Sequence, residues 1–452
     1  MAPRTPQALL TLNALVAGFC LAALLWWLAT PGMLGLRDMV VIQRPALSLG
    51  ALGFGDLPAR NAPQDGALAI AGMLFPATWV AKACILGAAC AGAWAAFRLG
   101  PVAVAVTLWN PFVVERLLAG HWSLVISAWL IPALLHPSTL VVLLAAWACS
   151  LTPTGTVLAL VLLVVCRRWL ASAFCLLCSL PWLVPSLLST PQTSPTAAFV
   201  AHPTLAWLGG GGIWNAEVRA EAGLLAIACA LLAALVLWRA PKPLVFLALS
   251  ALALTAVLSL GTWWQMIPGA GMFRDTAKLL WLVLPALITG AGELRVRGVI
   301  ALGLALTFAQ APTAPAAMGA LRGIPEQDWP RSAGDILITA SQGLVNYQGR
   351  TMVDPRLKAN QAIEAGALTV DGKLIDPPTQ RYLQALQASP SELREQGVGL
   401  RISGDTVEHI GGVSPKGWRY WLGVSLTVFW LLLPFATALK ISRNSWPVRS
   451  QE

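Results

Sequence analysis

Apolar segments of about the length needed to cross a membrane recur along most of this 452-residue chain, and they limit its fold more than any other feature. They lie at Leu9–Ala29 and at about 169–189, 222–238, 244–260, 279–292, 298–310 and 418–438. Hydrophobic residues make up 57% of the chain and charged residues only 11%, which excludes a soluble enzyme. The sequence therefore predicts a polytopic α-helical membrane protein with about ten spans.

Two apolar stretches do not fit a single straight span. The stretch 66–99 is too long for one helix, so it predicts an interfacial helix up to about Trp79 and a spanning helix that ends at Arg98. The stretch 139–166 is interrupted by Thr152-Pro-Thr-Gly155, which leaves two arms that are each too short to cross. A re-entrant hairpin on the cytoplasmic side is the simplest interpretation.

Basic residues at the ends of the apolar segments assign the two sides of the membrane. The positive-inside rule places Arg98, Arg167, Arg168, Arg239, Lys242, Arg295 and Arg297 in the cytoplasm, together with both termini. Seven acidic residues then fall on the outer side: Asp38, Asp56, Asp65, Glu115, Glu217, Glu221 and Asp275. Either an activity on the outer face uses carboxylates, or longer outer loops simply collect polar residues.

The region 311–416 has ordinary polar content and turn signals such as Asp371-Gly372. It predicts a small extracytoplasmic α/β domain with strands at Asp335–Thr339 and Val398–Ile402 and helices at 356–366 and 379–397. The chain therefore divides into a transmembrane domain (1–310), this α/β domain (311–416) and a final transmembrane helix with a cytoplasmic tail (417–452). The protein is expected in the cell membrane.

The first outer loop carries Arg37-Asp38 shortly after the first apolar segment. A carboxylate at the bilayer surface can deprotonate an acceptor hydroxyl while a lipid-linked donor presents its reactive carbon at the same depth. Arg37 could keep Asp38 ionised. The alternative is an interfacial ion pair that only ends the helix.

A second candidate lies between Trp109 and Trp122, where Glu115, Arg116 and His121 are gathered. Such a group at interface depth suits a phosphate or a sugar beside lipid. Alternatively, Asn110-Pro111 breaks the helix and the charged side chains are only solvated.

A third candidate is Phe273-Arg-Asp-Thr-Ala-Lys278. If the next helix starts here, Arg274 and Lys278 lie on one face, beside Asp275, where the helix dipole would add to their attraction for phosphate. The alternative is ordinary charge flanking a membrane helix.

The sequence contains no motif for several functional classes. The chain has no glycine-rich nucleotide loop and no His-x-x-x-His pair, and its 8 cysteines all lie in apolar stretches. We therefore expect no cofactor and no zinc site, although a divalent cation stays possible. The net charge of +10 reflects topology and anionic lipid, and nucleic acid is not an expected partner.

The order of these motifs resembles the GT-C superfamily of membrane glycosyltransferases. It is most similar to the polyprenyl-phosphate-sugar-dependent arabinofuranosyl and mannosyl transferases, and their uncharacterised relatives, of mycolic-acid-forming actinobacteria. The resemblance covers roughly residues 1–310, and only 108–122 and 273–278 are specific. It implies inverting transfer of a sugar from a polyprenyl phosphate to a cell-envelope glycan, lipid or protein on the outer face.

The resemblance also implies roles for single residues. Asp38 would be the catalytic base and Arg274 and Lys278 would bind the donor phosphate. The pocket would be lined by Arg37, Glu115, Arg116, His121 and Asp275. Many members have two neighbouring acids in the first loop, whereas Asp38 stands alone here, so a metal-bridged pair of acids is not expected. Asp56 or Asp65 could fold back to serve as a second acid.

Two other functions share this inventory of helices and basic sites. A lipid or glycan transporter needs polar or broken helices at the bilayer midplane, and the spans past residue 160 are almost purely Leu, Ala and Val. A non-catalytic cell-envelope assembly protein with the same scaffold is the third possibility.

Overall fold

The computed structural model describes residues 7–189, 194–339, 343–370 and 372–444. Within them the α-helices are α1 (Gln7–Leu25), α2 (Gln64–Ala71), α3 (Ala77–Ala96), α4 (Pro101–Leu108), α5 (Pro111–Leu118), α6 (Trp122–Trp129), α7 (Ile131–Leu134), α8 (Thr139–Cys149), α9 (Pro153–Val165), α10 (Trp169–Cys178), α11 (Leu180–Leu188), α12 (Ala226–Arg239), α13 (Lys242–Leu258), α14 (Leu284–Ala291), α15 (Arg297–Ala309), α16 (Ala314–Ala317), α17 (Arg356–Ala359), α18 (Gln380–Gln387), α19 (Pro390–Glu395) and α20 (Trp418–Asn444). The strands are β1 (Leu34–Leu36), β2 (Met39–Val41), β3 (Asp335–Ile338), β4 (Leu344–Tyr347), β5 (Arg350–Val353), β6 (Leu368–Val370), β7 (Lys373–Asp376), β8 (Val398–Ser403) and β9 (Thr406–His409).

Apolar helices dominate the fold. Over the described ranges, five helical stretches are long and apolar enough to cross a membrane: Gln7–Ala29, Ala77–Ala96, Pro101–Leu118, Arg297–Leu321 and Trp418–Ala438. The pair α10 and α11, bent by 57°, is a sixth if it counts as one span. The chain is thus a helical protein of membrane type, as the composition predicts. The count of about ten spans includes shorter helices and stays a prediction.

The stretch Pro101–Leu118 lies at the centre of the bundle and is entirely buried. Its first half, α4, contacts α1, α3, α14 and α15. Asn110 joins the two halves, since its side chain donates to the carbonyl of Val106 at 2.8 Å and accepts from the N–H of Val113 at 2.9 Å. The predicted break at Asn110-Pro111 is confirmed, and the Asn110 side chain caps the start of α5.

The predicted hairpin forms two short helices, α8 and α9. The last helix, α20, docks on α8 through Trp430, whose ring stacks on Trp147 at 4.6 Å and whose indole N–H donates to Ser150 at 2.7 Å. Polar groups at this contact are hydrogen-bonded to one another, so the final helix packs on the hairpin in one defined position.

Two basic residues that are predicted to share the cytoplasmic side, Arg98 and Arg168, lie close together. Arg98 donates to the carbonyls of Pro132 and Leu135, and Arg168 also donates to Leu135. His136 follows directly and stacks on Trp94. The grouping agrees with the predicted side assignment, while the membrane side itself stays a prediction.

The C-terminal region is a mixed α/β unit. Its sheet has the order β3-β8-β9, with β3 and β8 parallel, and β4–β5 and β6–β7 are separate antiparallel hairpins. The strands predicted at Asp335–Thr339 and Val398–Ile402 are confirmed as β3 and β8. Asp371 of the predicted Asp371-Gly372 turn lies outside the described residues.

The predicted helices of this region need correction. Only the start of 356–366 is helical, because residues after Asn360 pair with the edge of β3, where Ile363 donates to the carbonyl of Ile336 at 2.9 Å. The predicted helix 379–397 is two helices, because Ser389 closes a capping box with Glu392 and starts α19 afresh. Strand pairing at the edge of β3 ends the first predicted helix early, and the capping box divides the second, although both segments have helical periodicity.

The C-terminal region packs on the loop between α1 and α3 rather than standing apart. Arg381 binds Asp56 at 3.2 Å, Lys358 binds Asp65 at 2.5 Å and the Glu326 carboxylate accepts from the N–H of Gln43 at 2.8 Å. These contacts join segments that are far apart in the chain, and they fix the C-terminal region on this loop.

Candidate functional site

The site begins at a tight turn. β1 and β2 pair with Leu36 opposite Met39, so Arg37 and Asp38 form the two-residue connection of a hairpin. Arg37 has φ of 51°, a conformation that strains a residue with a side chain.

Strand β5 holds this turn from the C-terminal side. The N–H of Arg37 donates to the carbonyl of Thr351 at 2.8 Å, and the N–H of Val353 donates to the carbonyl of Arg37 at 2.9 Å. The C-terminal region therefore stabilises the backbone on which Asp38 is presented.

The loop that follows α5 approaches the other side of the same turn through Gly120. Its φ is 84°, and a Cβ atom there would lie 2.4 Å from the Met39 nitrogen and 2.6 Å from the Leu36 oxygen. Only glycine fits this close approach of two backbones. His121, the next residue, is thereby brought to Asp38.

We expect Gly120→Ala to destabilise the protein by about 1–3 kcal/mol, because it adds backbone strain and a clash. Gly87→Ala is the matched control, since a Cβ at Gly87 meets nothing within 4 Å. Thermal unfolding of both variants in detergent measures the difference. Equal midpoints for the two variants would contradict the proposed close packing at Gly120.

Four side chains from three distant segments meet here in one line. The His121 Nε2 atom lies 2.8 Å from Asp38 Oδ2, and its Nδ1 atom lies 3.3 Å from the guanidinium of Arg116. Arg116 in turn forms a bidentate pair with Asp275. Arg116 and Asp275 are buried, whereas Asp38 is 59% exposed. All four were predicted site residues, and the structure brings them together.

The exposed side chain of Asp38 faces a space that Arg60 and Lys278 also adjoin, which we call the recess. This side chain is largely accessible, yet protein groups surround it closely enough to desolvate the carboxylate. Desolvation raises the pKa of Asp38, but the hydrogen bond with His121 and the charges of Lys278 and Arg60 outweigh it and lower the pKa below its ordinary value. The carboxylate is therefore ionised at neutral pH.

Two cations adjoin the recess. Lys278 is half-buried and donates to the carbonyl of Met272 at 3.2 Å. Arg60, an exposed loop residue, makes no side-chain hydrogen bond to the residues that the structure describes, and its charge acts on Asp38 and Lys278. Neither cation has a carboxylate hydrogen-bonded to it within that part of the chain. Both are free to bind an anion.

Lys278 directly precedes the predicted span 279–292. Burial lowers its pKa, the charge of Asp275 opposes this, and Arg116 and Arg60 lower it further, to about 8. The ammonium charge is therefore easily lost above neutral pH.

Arg274, which the sequence predicts to bind phosphate, is paired with a carboxylate of the C-terminal region. Its guanidinium donates to both oxygens of Asp376, at 2.9 and 2.8 Å, and lies over the ring of Phe199. The helix after it is a 3₁₀ helix that starts at Thr276, so Arg274 and Lys278 do not form the predicted pair on one α-helical face. Arg274 joins the C-terminal region to the bundle.

Glu115 does not line the recess. It is buried, and its carboxylate accepts hydrogen bonds from the N–H groups of Gly212, Ile213 and Ala220 at 2.9 to 3.1 Å. The side chain anchors the 209–220 loop, because a buried carboxylate is retained only where such donors satisfy it.

The remaining acids of the first loop are also engaged. Arg37 donates to Glu217 at 2.6 Å and is not the residue that keeps Asp38 ionised. That effect comes from Lys278, Arg60 and His121. Asp56 and Asp65 bind cations of the C-terminal region and do not fold back toward Asp38. Asp38 has no second acid beside it from this loop.

A metal requires several ligands close together. In the described ranges no group of three or more His, Cys, Asp or Glu side chains lies in a position to hold one.

Sequence reasoning missed Arg60 and Asp376. Arg60 lies in an irregular loop with no periodicity, and Asp376 is distant in sequence from the cation it binds. The predicted side assignment, which puts both residues on the outer face, was the only signal for them in the sequence.

Comparison with protein-family models, with curated proteins and with solved structures finds no match to this chain.

Proposed function

We propose that the protein is a membrane glycosyltransferase that moves a sugar, arabinofuranose or mannose, from a polyprenyl phosphate to a cell-envelope acceptor. The observation that carries the proposal is the recess at Asp38. An ionised carboxylate, held at one oxygen by His121, lies there beside two cations without carboxylate partners in the described chain. This combination suits a hydroxyl acceptor and a phosphate leaving group.

In the proposed reaction Asp38 takes the proton of the acceptor hydroxyl as its oxygen attacks the anomeric carbon of the donor. The new glycosidic C–O bond forms as the bond from that carbon to the phosphate oxygen breaks, with inversion. The phosphate leaves with the electron pair as polyprenyl phosphate. No cofactor takes part in these steps.

The donor phosphate is assigned to Arg60 and Lys278 rather than to Arg274. Arg274 is committed to Asp376, and releasing it would leave a buried carboxylate unpaired, which costs several kcal/mol. Arg60 and Lys278 need break no ion pair seen in the described chain.

The direct test is a transfer assay with purified protein in proteoliposomes. Polyprenyl-phosphate arabinofuranose and polyprenyl-phosphate mannose are supplied separately, each with a cell-envelope glycan or glycolipid fraction as acceptor. We expect labelled sugar in the acceptor and free polyprenyl phosphate in equal amounts. Movement of the intact donor across the bilayer without cleavage would instead identify a transporter, and neither event would favour an assembly role.

The proposal places the recess and the C-terminal region outside the cell membrane, with both termini in the cytoplasm. In a variant whose 8 native cysteines are replaced by serine, a cysteine introduced at exposed Asp405 should then react with an impermeant maleimide on intact cells. One at exposed Arg295 should react only after permeabilisation. The two variants serve as each other's control. The reverse labelling pattern would overturn the topology.

A further inference from the structure

Behind Asp38, the side chains of His121, Arg116 and Asp275 lead into the protein interior. Arg116 is 1% exposed and Asp275 is 6% exposed, and their bidentate ion pair leaves little freedom for either group. One guanidinium nitrogen of Arg116 also contacts His121 Nδ1 at 3.3 Å. The inner end of the line is therefore rigid.

Hydrogen-bond chemistry fixes the tautomer of His121. A guanidinium only donates, so Nδ1 of His121 must accept from Arg116 and carries no hydrogen. The hydrogen of the neutral ring then lies on Nε2. That atom is 2.8 Å from Asp38 Oδ2, to which it donates.

We infer that His121 is a positioning residue, locked by the Arg116–Asp275 pair into the Nε2–H tautomer, which holds Oδ2 of Asp38 and leaves Oδ1 for the acceptor hydroxyl. Oδ1 has no hydrogen-bond partner among the described residues, and the side chain is open to the recess. The inference rests on the proposed function, in which Asp38 is the base.

A role in packing alone is the competing explanation, and two substitutions separate it from positioning. Glutamine at 121 has an amide N–H that can donate to Asp38 and an oxygen that can accept from Arg116, so it can copy both hydrogen bonds. Leucine fills similar space and copies neither. A packing role predicts the same activity for both variants.

We expect His121→Leu to lower kcat about 100-fold, because the base is no longer held in line. His121→Gln should stay within about tenfold of the wild type, since it keeps the donor. His409→Leu, at an exposed position on β9, is the matched control and should leave kcat unchanged.

The pH dependence of kcat also separates the two explanations, because a role in packing alone would not change it. The hydrogen bond with His121 is one cause of the lowered pKa of Asp38, and the base must be ionised to act. Losing that hydrogen bond raises the pKa, so the acid limb of the kcat profile should move to higher pH in His121→Leu and move less in His121→Gln. An unmoved limb in His121→Leu, in an active protein, would overturn the inference.

The tautomer can be measured without activity. ¹⁵N NMR of the wild-type chain in nanodiscs, with ¹⁵N-labelled histidine, reports which ring nitrogen is protonated, and the spectrum of His121→Gln assigns the signal among 4 histidines. We expect an unprotonated Nδ1 and a protonated Nε2. The Nδ1–H tautomer would defeat the inference even if sugar transfer is found. If the expected tautomer is found but no sugar is transferred, the hydrogen bonds from Asp38 to Asp275 are supported and only the proposed function is rejected.

Discussion

Asp38→Asn should lower sugar transfer about 100- to 10,000-fold, the usual contribution of a general base. The asparagine keeps the size of the side chain and can still accept from His121 Nε2 through its oxygen, so the turn and the recess should keep their shape. It has no basic oxygen to take the acceptor proton. Initial rates at saturating donor and acceptor, at matched amounts of folded protein, measure the effect.

Asp405→Asn is the control for this experiment, because it makes the same chemical change on the exposed turn between β8 and β9. It should transfer sugar at the wild-type rate. Near-normal transfer by Asp38→Asn would remove Asp38 from the mechanism. Asp56 and Asp65 could not simply replace it, since both are ion-paired to the C-terminal region.

Arg60→Ala should raise the apparent donor KM about 10- to 100-fold, the range expected when a charged hydrogen bond to phosphate is lost. Lys278→Ala should act in the same direction. If the contact tightens as negative charge develops on the departing phosphate, kcat falls as well. Donor titrations at fixed acceptor give both constants.

The two cations should not contribute independently. They approach one recess and their charges act on each other, so the effect of Arg60→Ala with Lys278→Ala should differ from the product of the single effects. Arg295→Ala, a change of an exposed cation away from the recess, should leave donor KM unaltered. An unchanged donor curve for Arg60→Ala would defeat the phosphate assignment.

The same assignment predicts a pH dependence. Because the pKa of Lys278 is lowered to about 8, its ammonium loses its proton as the pH rises through that value. Donor kcat/KM should therefore fall on the alkaline side near pH 8. Lys278→Arg, which stays charged, should remove this limb while Arg60→Lys keeps it.

The sequence predicted the members of the central line better than their individual roles. Asp38, His121, Arg116 and Asp275 were each noted for charge close to an apolar segment, and the side assignment placed their loops on one face. Loops that lie at the same predicted depth of a membrane surface are confined to one plane, which is a strong constraint. For this reason the sequence could suggest that these loops meet, although it does not show which residues contact each other.

The sequence could not predict which charged side chains pair with each other, and the reason is physical. Arg274 binds Asp376, and Glu115 binds backbone N–H groups of a distant loop, so neither partner lies within reach of any local pattern. A free cation and a paired cation look the same in a sequence. The sequence therefore gives no sign that Arg274 is paired with Asp376 or that Arg60 is not hydrogen-bonded to a carboxylate of the described residues.

The strand that supports the Arg37–Asp38 turn has a consequence for the order in which the protein is made. The turn leaves the ribosome early, whereas β5, which bonds to both backbone groups of Arg37, is translated near the end of the chain. Domains generally fold as they emerge, N-terminal parts first. Here the turn can reach its final backbone geometry only after the C-terminal region has been translated and has docked. A chain that ends before β5 would therefore lack the two backbone hydrogen bonds that hold Arg37, and its Asp38 carboxylate would not be aligned.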